Sequence, residues 1–255
     1  MGKAKRPLPR SKLTSISDEL LNLMVEARQE ADRDLEIELC LNGTNVEGDF
    51  IPGPLYWLQN HTKTFDEKWR QKGLHGPYRS FSRLPYMPWL FSNFLNCRRL
   101  FIPKSRDMMV SWSAIGYGVW LAQFHERVRV IVQTQKEDKV VDLIKGAGVP
   151  GYARTLYEMQ DDWMKKRYPL ATPMDDQAST RIAWANRSLI QGVPKGADQI
   201  RLYHPNVMIF DEAAHLDEFE AAYGAADPVC QQIIAVSSVA PGWFWDEVHP
   251  DGKAG

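Results

Sequence analysis

The sequence has almost no net charge, few cysteines and no long apolar run, and each shortage removes a class of protein. Its 31 basic and 32 acidic residues leave a formal charge of −1. No global basic excess announces a nucleic-acid binder, so any such surface has to be local. Cys40, Cys97 and Cys230 lie far apart and form no CxxC pair. That spacing argues against a zinc site or a disulfide framework and fits a reducing cytosol. No uninterrupted apolar stretch approaches the roughly 20 residues of a transmembrane helix. The basic start, Met1 to Lys12, is followed by a helix-like segment with acids throughout, which is not a signal peptide. The expectation is a soluble, intracellular protein without a membrane partner. Six histidines are scattered without HxxxH or HExxH spacing, which leaves little for a metallohydrolase.

What is present is the composition of an ordinary globular chain: 255 residues, 44% apolar and 25% charged. That length buries one substantial core, or one core with a small appended subdomain. Ser15 or Ser17 is placed to cap a helix reaching about Cys40, with Leu20, Leu21, Met24, Ala27 and Ala31 on an apolar stripe. Asn42 to Pro54 is a glycine- and proline-punctuated connector. The expected division is therefore an N-terminal helical extension and connector over 1–54, then one domain over 55–255. Leu55 to Leu95 is rich in aromatics with basic residues interleaved, a pattern that suits either a core edge or single-stranded nucleic acid. The core edge is the better reading, as solvated charge is for the run Lys165 to Arg167.

From Arg98 an α/β rhythm begins. Strands are expected at Arg99–Ile102, Arg127–Thr134, Asn206–Phe210 and Gln232–Val236, with helices near Ser111–Phe124 and Lys136–Lys145. Short apolar runs without alternation suit a mainly parallel sheet covered by helices on both faces. Its site is expected at the carboxyl ends of the strands.

The chemistry gathers at those ends. The apolar run VMIF delivers Asp211 and Glu212, and carboxylates leaving a buried strand call for a cation or a reaction unless they merely cap the next helix. In P-loop ATPases the first acid of such a pair holds the magnesium shell and the second orients the attacking water. The first strand is followed by PKSRDMMVSW and then a helix. A strand, a loop of this length and a serine at the helix start describe a phosphate cradle, with backbone N–H groups toward the anion and the hydroxyl toward magnesium. The standard GxxxxGK[ST] pattern is not met. Both glycines are missing, and Val110 stands where the lysine belongs.

KSRDMMVSW resembles the deviant phosphate loop of tailed-phage large terminases, in which the lysine can move to the start of the loop with an arginine close behind. VMIFDEAAH resembles the second motif of that family and AVSSVAPG its third. The resemblance covers roughly Arg83 to Gly242, and the order and spacing of the motifs carry it more than any one of them. It implies a P-loop NTPase fold of the ASCE type and a motor that hydrolyses ATP with magnesium to move double-stranded viral DNA into a procapsid. Lys104, Ser105, Arg106, Met109, Val110 and Ser111 would surround the nucleotide, with Ser111 and Asp211 on magnesium and Glu212 and Arg106 catalytic. Ser237 and Ser238 would sense the γ-phosphate and pass the signal on. Arg201, in the family-like phrase GADQIRLY, would act in trans on a neighbouring subunit of a homo-oligomeric ring. The implied partners are DNA, the portal protein and the small terminase subunit, in the host cytoplasm.

Two departures are legible. The adenine-reading glutamine expected upstream is absent from LPYMPW, which leaves Tyr86 or backbone groups for the base. Met109 occupies a position where glycine is usual. Little sequence follows the third motif, so no nuclease activity is expected from this chain. Two other classes stay open: a helicase-like ATPase of different biology, and an interaction module that kept the fold without hydrolysis.

Overall fold

A strand joined by a short loop to a buried helix sets the architecture. In the computed structural model, which describes residues 10–194, 196, 200 and 203–249, the order begins with α1 (Arg10–Asn42), the hairpin β1 (Thr44–Val46) and β2 (Asp49–Ile51), and α2 (Gly53–His61). A second hairpin follows, β3 (Lys63–Phe65) and β4 (Tyr78–Ser80), then α3 (Met87–Asn96). The body comprises β5 (Arg99–Lys104), α4 (Val110–Phe124), β6 (Arg129–Gln133), α5 (Glu137–Ile144), α6 (Tyr152–Glu158), α7 (Asp162–Arg167), β7 (Arg181–Ala183), β8 (Leu189–Val193) and β9 (Val207–Asp211). It closes with α8 (Phe219–Ala226), β10 (Gln232–Ser238) and α9 (Trp243–Val248).

Six strands form one sheet in the order β5-β10-β9-β6-β8-β7. All neighbours are parallel except β7, which pairs antiparallel with β8 at the edge. Burial on both faces explains why β9 and β10 read as apolar runs: every residue of β9 is buried, as are five of the seven in β10. The helix α4 lies across the sheet and under α2 and α6. Twelve of its 15 residues are buried, so it has no polar face. Gly118 permits the closeness, because a Cβ there would stand 3.1–3.2 Å from side chains of Val130, Ile190 and Ile209.

Fold class, strand positions and the helix after the first strand agree with the sequence expectation. The capping expectation at the N-terminus does not. α1 is already helical at Arg10, so Ser15 and Ser17 lie within it instead of starting it. The connector also has structure: Gly43 turns the chain from α1 into β1 at positive φ, and Glu47 and Gly48, also at positive φ, close the β1–β2 hairpin. At its far end α1 enters the core, with Ile37 and Cys40 buried and the Cys40 carbonyl accepting Trp120 Nε1–H at 2.8 Å. The aromatic stretch is a core edge: Trp57, Phe81, Phe91 and Phe94 are buried. The basic run of α7 is largely paired within the fold, Arg167 to Glu30 and Asp34, and Lys165 to Asp162. Among the described residues, no helix is long and apolar enough to cross a membrane.

Candidate nucleotide-hydrolysis site

Register brings the candidate residues to one level. β10 lies between β5 and β9, pairing Ser238 with Lys104 on one side and Val236 with Asp211 on the other. The carboxyl ends of the three strands thus present Lys104, Ser237, Ser238, Asp211 and Glu212 side by side. Into this edge falls the loop from β5 to α4, with Ser111 in the first turn of the helix.

The contacts join residues far apart in sequence. Ser111 Oγ donates to Asp211 Oδ1 at 2.7 Å, across 100 positions. Lys104 Nζ donates to Glu212 Oε1 at 3.0 Å. Glu212 Oε2 accepts the Ser238 hydroxyl at 3.1 Å, and Ser237 Oγ accepts the Ala214 N–H at 3.0 Å. Both serines therefore clamp the end of β10 to the turn after β9. His215, the last residue of that turn, sets its ring Nε2 2.9 Å from Ser238 Oγ.

The environments of the two acids differ. Asp211 is buried, and burial pushes its carboxyl up from the usual carboxylate range against the Ser111 hydrogen bond and the charge of Lys104. Glu212 is half-buried. Burial pushes it up as well, but the hydrogen bond and charge of Lys104, with Ser238, outweigh this and hold it below the usual range. Behind them Trp112 and Tyr152 stack at 3.9 Å and 7°. Burial, then the nearby Asp211 charge, pushes the Tyr152 hydroxyl up to about 12.

Backbone strain marks the same place. Met109 has φ 54° and ψ 9°, and Glu212 has φ 55° and ψ 41°, both left-handed. For residues with a Cβ that conformation costs roughly 1–2 kcal/mol each. Met109 thus adopts a shape that glycine takes freely, and Asp107 two residues earlier does likewise at φ 61°. Strain of this kind persists where surrounding structure over-determines it, which is common at functional sites. The N-terminus of α4 carries no side-chain cap, so its free N–H groups and helix dipole face the loop, an arrangement suited to an anion.

The other expected residues fall as follows. Ser105 and Arg106 are exposed on the loop, and Val110 is buried beneath it. Tyr86, at the start of α3, donates from Oη to the Met108 carbonyl and so ties α3 to the loop. Arg201 lies outside the described residues. His215 ends the run VMIFDEAAH, where a residue just past the acidic pair reads as structural, and the contact with Ser238 brings it to the site. Magnesium is implied by the fold, and the donors fit it. A carboxylate and a hydroxyl are hard oxygen ligands, and magnesium is usually held by one or two carboxylates with substrate phosphates and water. Among the described residues no group of three or more His, Cys, Asp or Glu could hold a metal, so phosphate oxygens would have to complete that shell.

Strand order, the β5–α4 loop and the acids after β9 define a P-loop NTPase fold of the ASCE type. No protein-family model matches the sequence, and no curated protein does. Solved structures do. The large terminase of bacteriophage HK97 aligns with TM-score 0.51 and 9% identity over 79% of this chain and 41% of its own. Two structures of the large terminase ATPase domain of Thermus phage P74-26 align with TM-scores of 0.40 and 0.41 at 13% and 12% identity. They cover 59% and 72% of this chain and 64% and 74% of their own. The likeness is one of fold, and this chain spans less than half the length of the HK97 protein.

Proposed function

We propose that the protein is the ATP-hydrolysing motor portion of a large terminase, which drives double-stranded viral DNA into a procapsid. The observation that carries this reading is the pairing of Ser111 with Asp211 and of Lys104 with Glu212 at one sheet edge. Residues 55–255 form the ATPase domain and 1–54 its extension. Lys104 and Arg106, with Ser105, Met109, Val110 and the N-terminus of α4, hold the phosphates of ATP. Tyr86 lies toward the base.

Ser111 and Asp211 would hold magnesium, which when bound neutralises charge on the phosphates. Glu212 accepts the proton of the attacking water, and Arg106 stabilises negative charge building on the γ-phosphate. Arg201 contributes from a ring neighbour. Ser237 and Ser238 carry the state of the site along β10 toward the parts that grip DNA. The portal protein and the small subunit are the expected partners, in the host cytoplasm.

The test is ATP turnover with magnesium at several protein concentrations, with and without double-stranded DNA, beside Glu212→Gln. Magnesium-dependent hydrolysis that DNA raises and Glu212→Gln abolishes supports the reading. No turnover, or turnover undiminished in Glu212→Gln, overturns it.

A further inference from the structure

The turn after β9 carries a histidine that the reading above leaves without a role. Ala213–His215 form a single 3-10 turn, held by the Ala214 N–H on Ser237 Oγ, so the position of His215 is fixed from β10. Its Nε2 lies 2.9 Å from Ser238 Oγ and 3.9 Å from Glu212 Oε2. Ser238 Oγ in turn lies 3.1 Å from Glu212 Oε2.

Proton counting gives these contacts a direction. Ionised Glu212 only accepts, and the Ser238 hydroxyl has one proton to give. If that proton goes to Glu212, the hydroxyl must accept from His215, which then carries hydrogen on Nε2. The chain reads His215 to Ser238 to Glu212, and it opposes the pull of Lys104 on Oε1 from the other side of the same carboxylate.

We propose that His215 is a positioning residue for the water-activating carboxylate. By donating to Ser238 Oγ it aims the hydroxyl proton at Glu212 Oε2 and fixes the rotation of the carboxylate. Glu212 needs that constraint when a nucleotide draws Lys104 away, because Oε1 then loses its partner and becomes the oxygen free to accept from water. The inference rests on the reading of Glu212 as the residue that activates water.

The test uses the full chain and measures ATP turnover together with the affinity for a fluorescently tagged ATP. The variants are His215→Ala, His215→Gln, Ser238→Ala and the double His215→Ala/Ser238→Ala. Removing a donor from a chain that ends on a charge should lower kcat roughly tenfold in His215→Ala. KM and tagged-ATP affinity should stay within about twofold, since the phosphate contacts are intact. His215→Gln, whose amide offers an N–H, should recover most of the rate. The double variant should be no slower than the slower single, because both substitutions cut one chain. If His215→Ala turns over like the wild type while Glu212→Gln is silent, the role of Glu212 stands and the inference is lost. Equal losses in His215→Ala and His215→Gln, with weakened nucleotide affinity, also overturn it. Turnover by Glu212→Gln removes both readings together.

Discussion

Lys104 Nζ sits 3.0 Å from Glu212 Oε1, so the residue that ends β5 is neutralised by the acid that follows β9. The lysine is nearly buried and the glutamate is not, with side-chain exposures of 10% and 38%. Lys104 therefore has few alternatives to this partner until an anion enters the loop. Lys104→Ala should weaken nucleotide affinity by at least about tenfold, the loss of one charge-assisted contact, and abolish turnover. Val110→Ala, at the position where a standard loop keeps its lysine, should bind nucleotide like the wild type. Titration with tagged ATP checks both, and wild-type hydrolysis by Lys104→Ala would sink the assignment.

The same pair gives a pH signature. The carboxyl of Glu212 is held below its ordinary range in the folded state, so the pair stabilises the fold above that range. The contribution is lost as pH falls through the depressed value. The melting temperature of Glu212→Gln should therefore trail that of the wild type at neutral pH and converge with it in acid. The gap should be small, because Glu212 is partly exposed and solvent screens it. A gap that widens in acid contradicts the pairing.

The two acids should fail differently. Glu212→Gln should bind magnesium and ATP but not hydrolyse, since the water loses its base. Asp211→Asn should lose magnesium-dependent nucleotide binding. It should also raise the melting temperature of the nucleotide-free protein, because a buried carboxylate pushed up by burial becomes a neutral amide that can still meet Ser111. Equal, mild effects from both substitutions would instead favour acids that only cap the next turn.

Met109→Gly tests whether the strained loop is a requirement or a tolerated cost. Glycine takes φ 54° freely but has more freedom to lose on folding, so stability should change by less than about 1 kcal/mol. Nucleotide binding should persist. Loss of binding with stability unchanged would mean the methionine side chain itself contacts the ligand.

A trans role for Arg201 has a complementation signature. Arg201→Ala subunits keep an intact Glu212, and Glu212→Gln subunits keep an intact arginine. Where mixed assembly is demonstrated, the mixture should hydrolyse ATP although neither variant does alone, with each productive interface recovering part of an effect worth about 10³–10⁵ in rate. Mixed rings without rescue would assign Arg201 to its own subunit.

The sheet was legible where its strands are buried on both faces. The runs VMIF and IIAV have no alternation because nothing in them meets water, and their positions follow from that alone. β8 escaped notice because LIQGV breaks its apolar run with Gln191 and Gly192; a Cβ at Gly192 would stand 2.1 Å from Val140 Cγ1 of α5. β7 is a three-residue edge strand with an exposed arginine. At the site, Asp211, Glu212 and Ser111 were readable from their places at strand and helix ends. The bond from His215 to Ser238 was not, because it depends on how the turn after β9 meets a strand 23 residues later.

β10 touches both halves of the site, and this makes its register the least forgiving quantity in the protein. A slip of one residue would turn Ser237 and Ser238 to opposite faces of the sheet. Ala214 would lose its acceptor, Glu212 and His215 would lose their shared hydroxyl, and Lys104 would face a different neighbour. Insertion or deletion of a single residue within β10, ahead of Ser237, should therefore be as damaging to turnover as substitutions among the acids themselves.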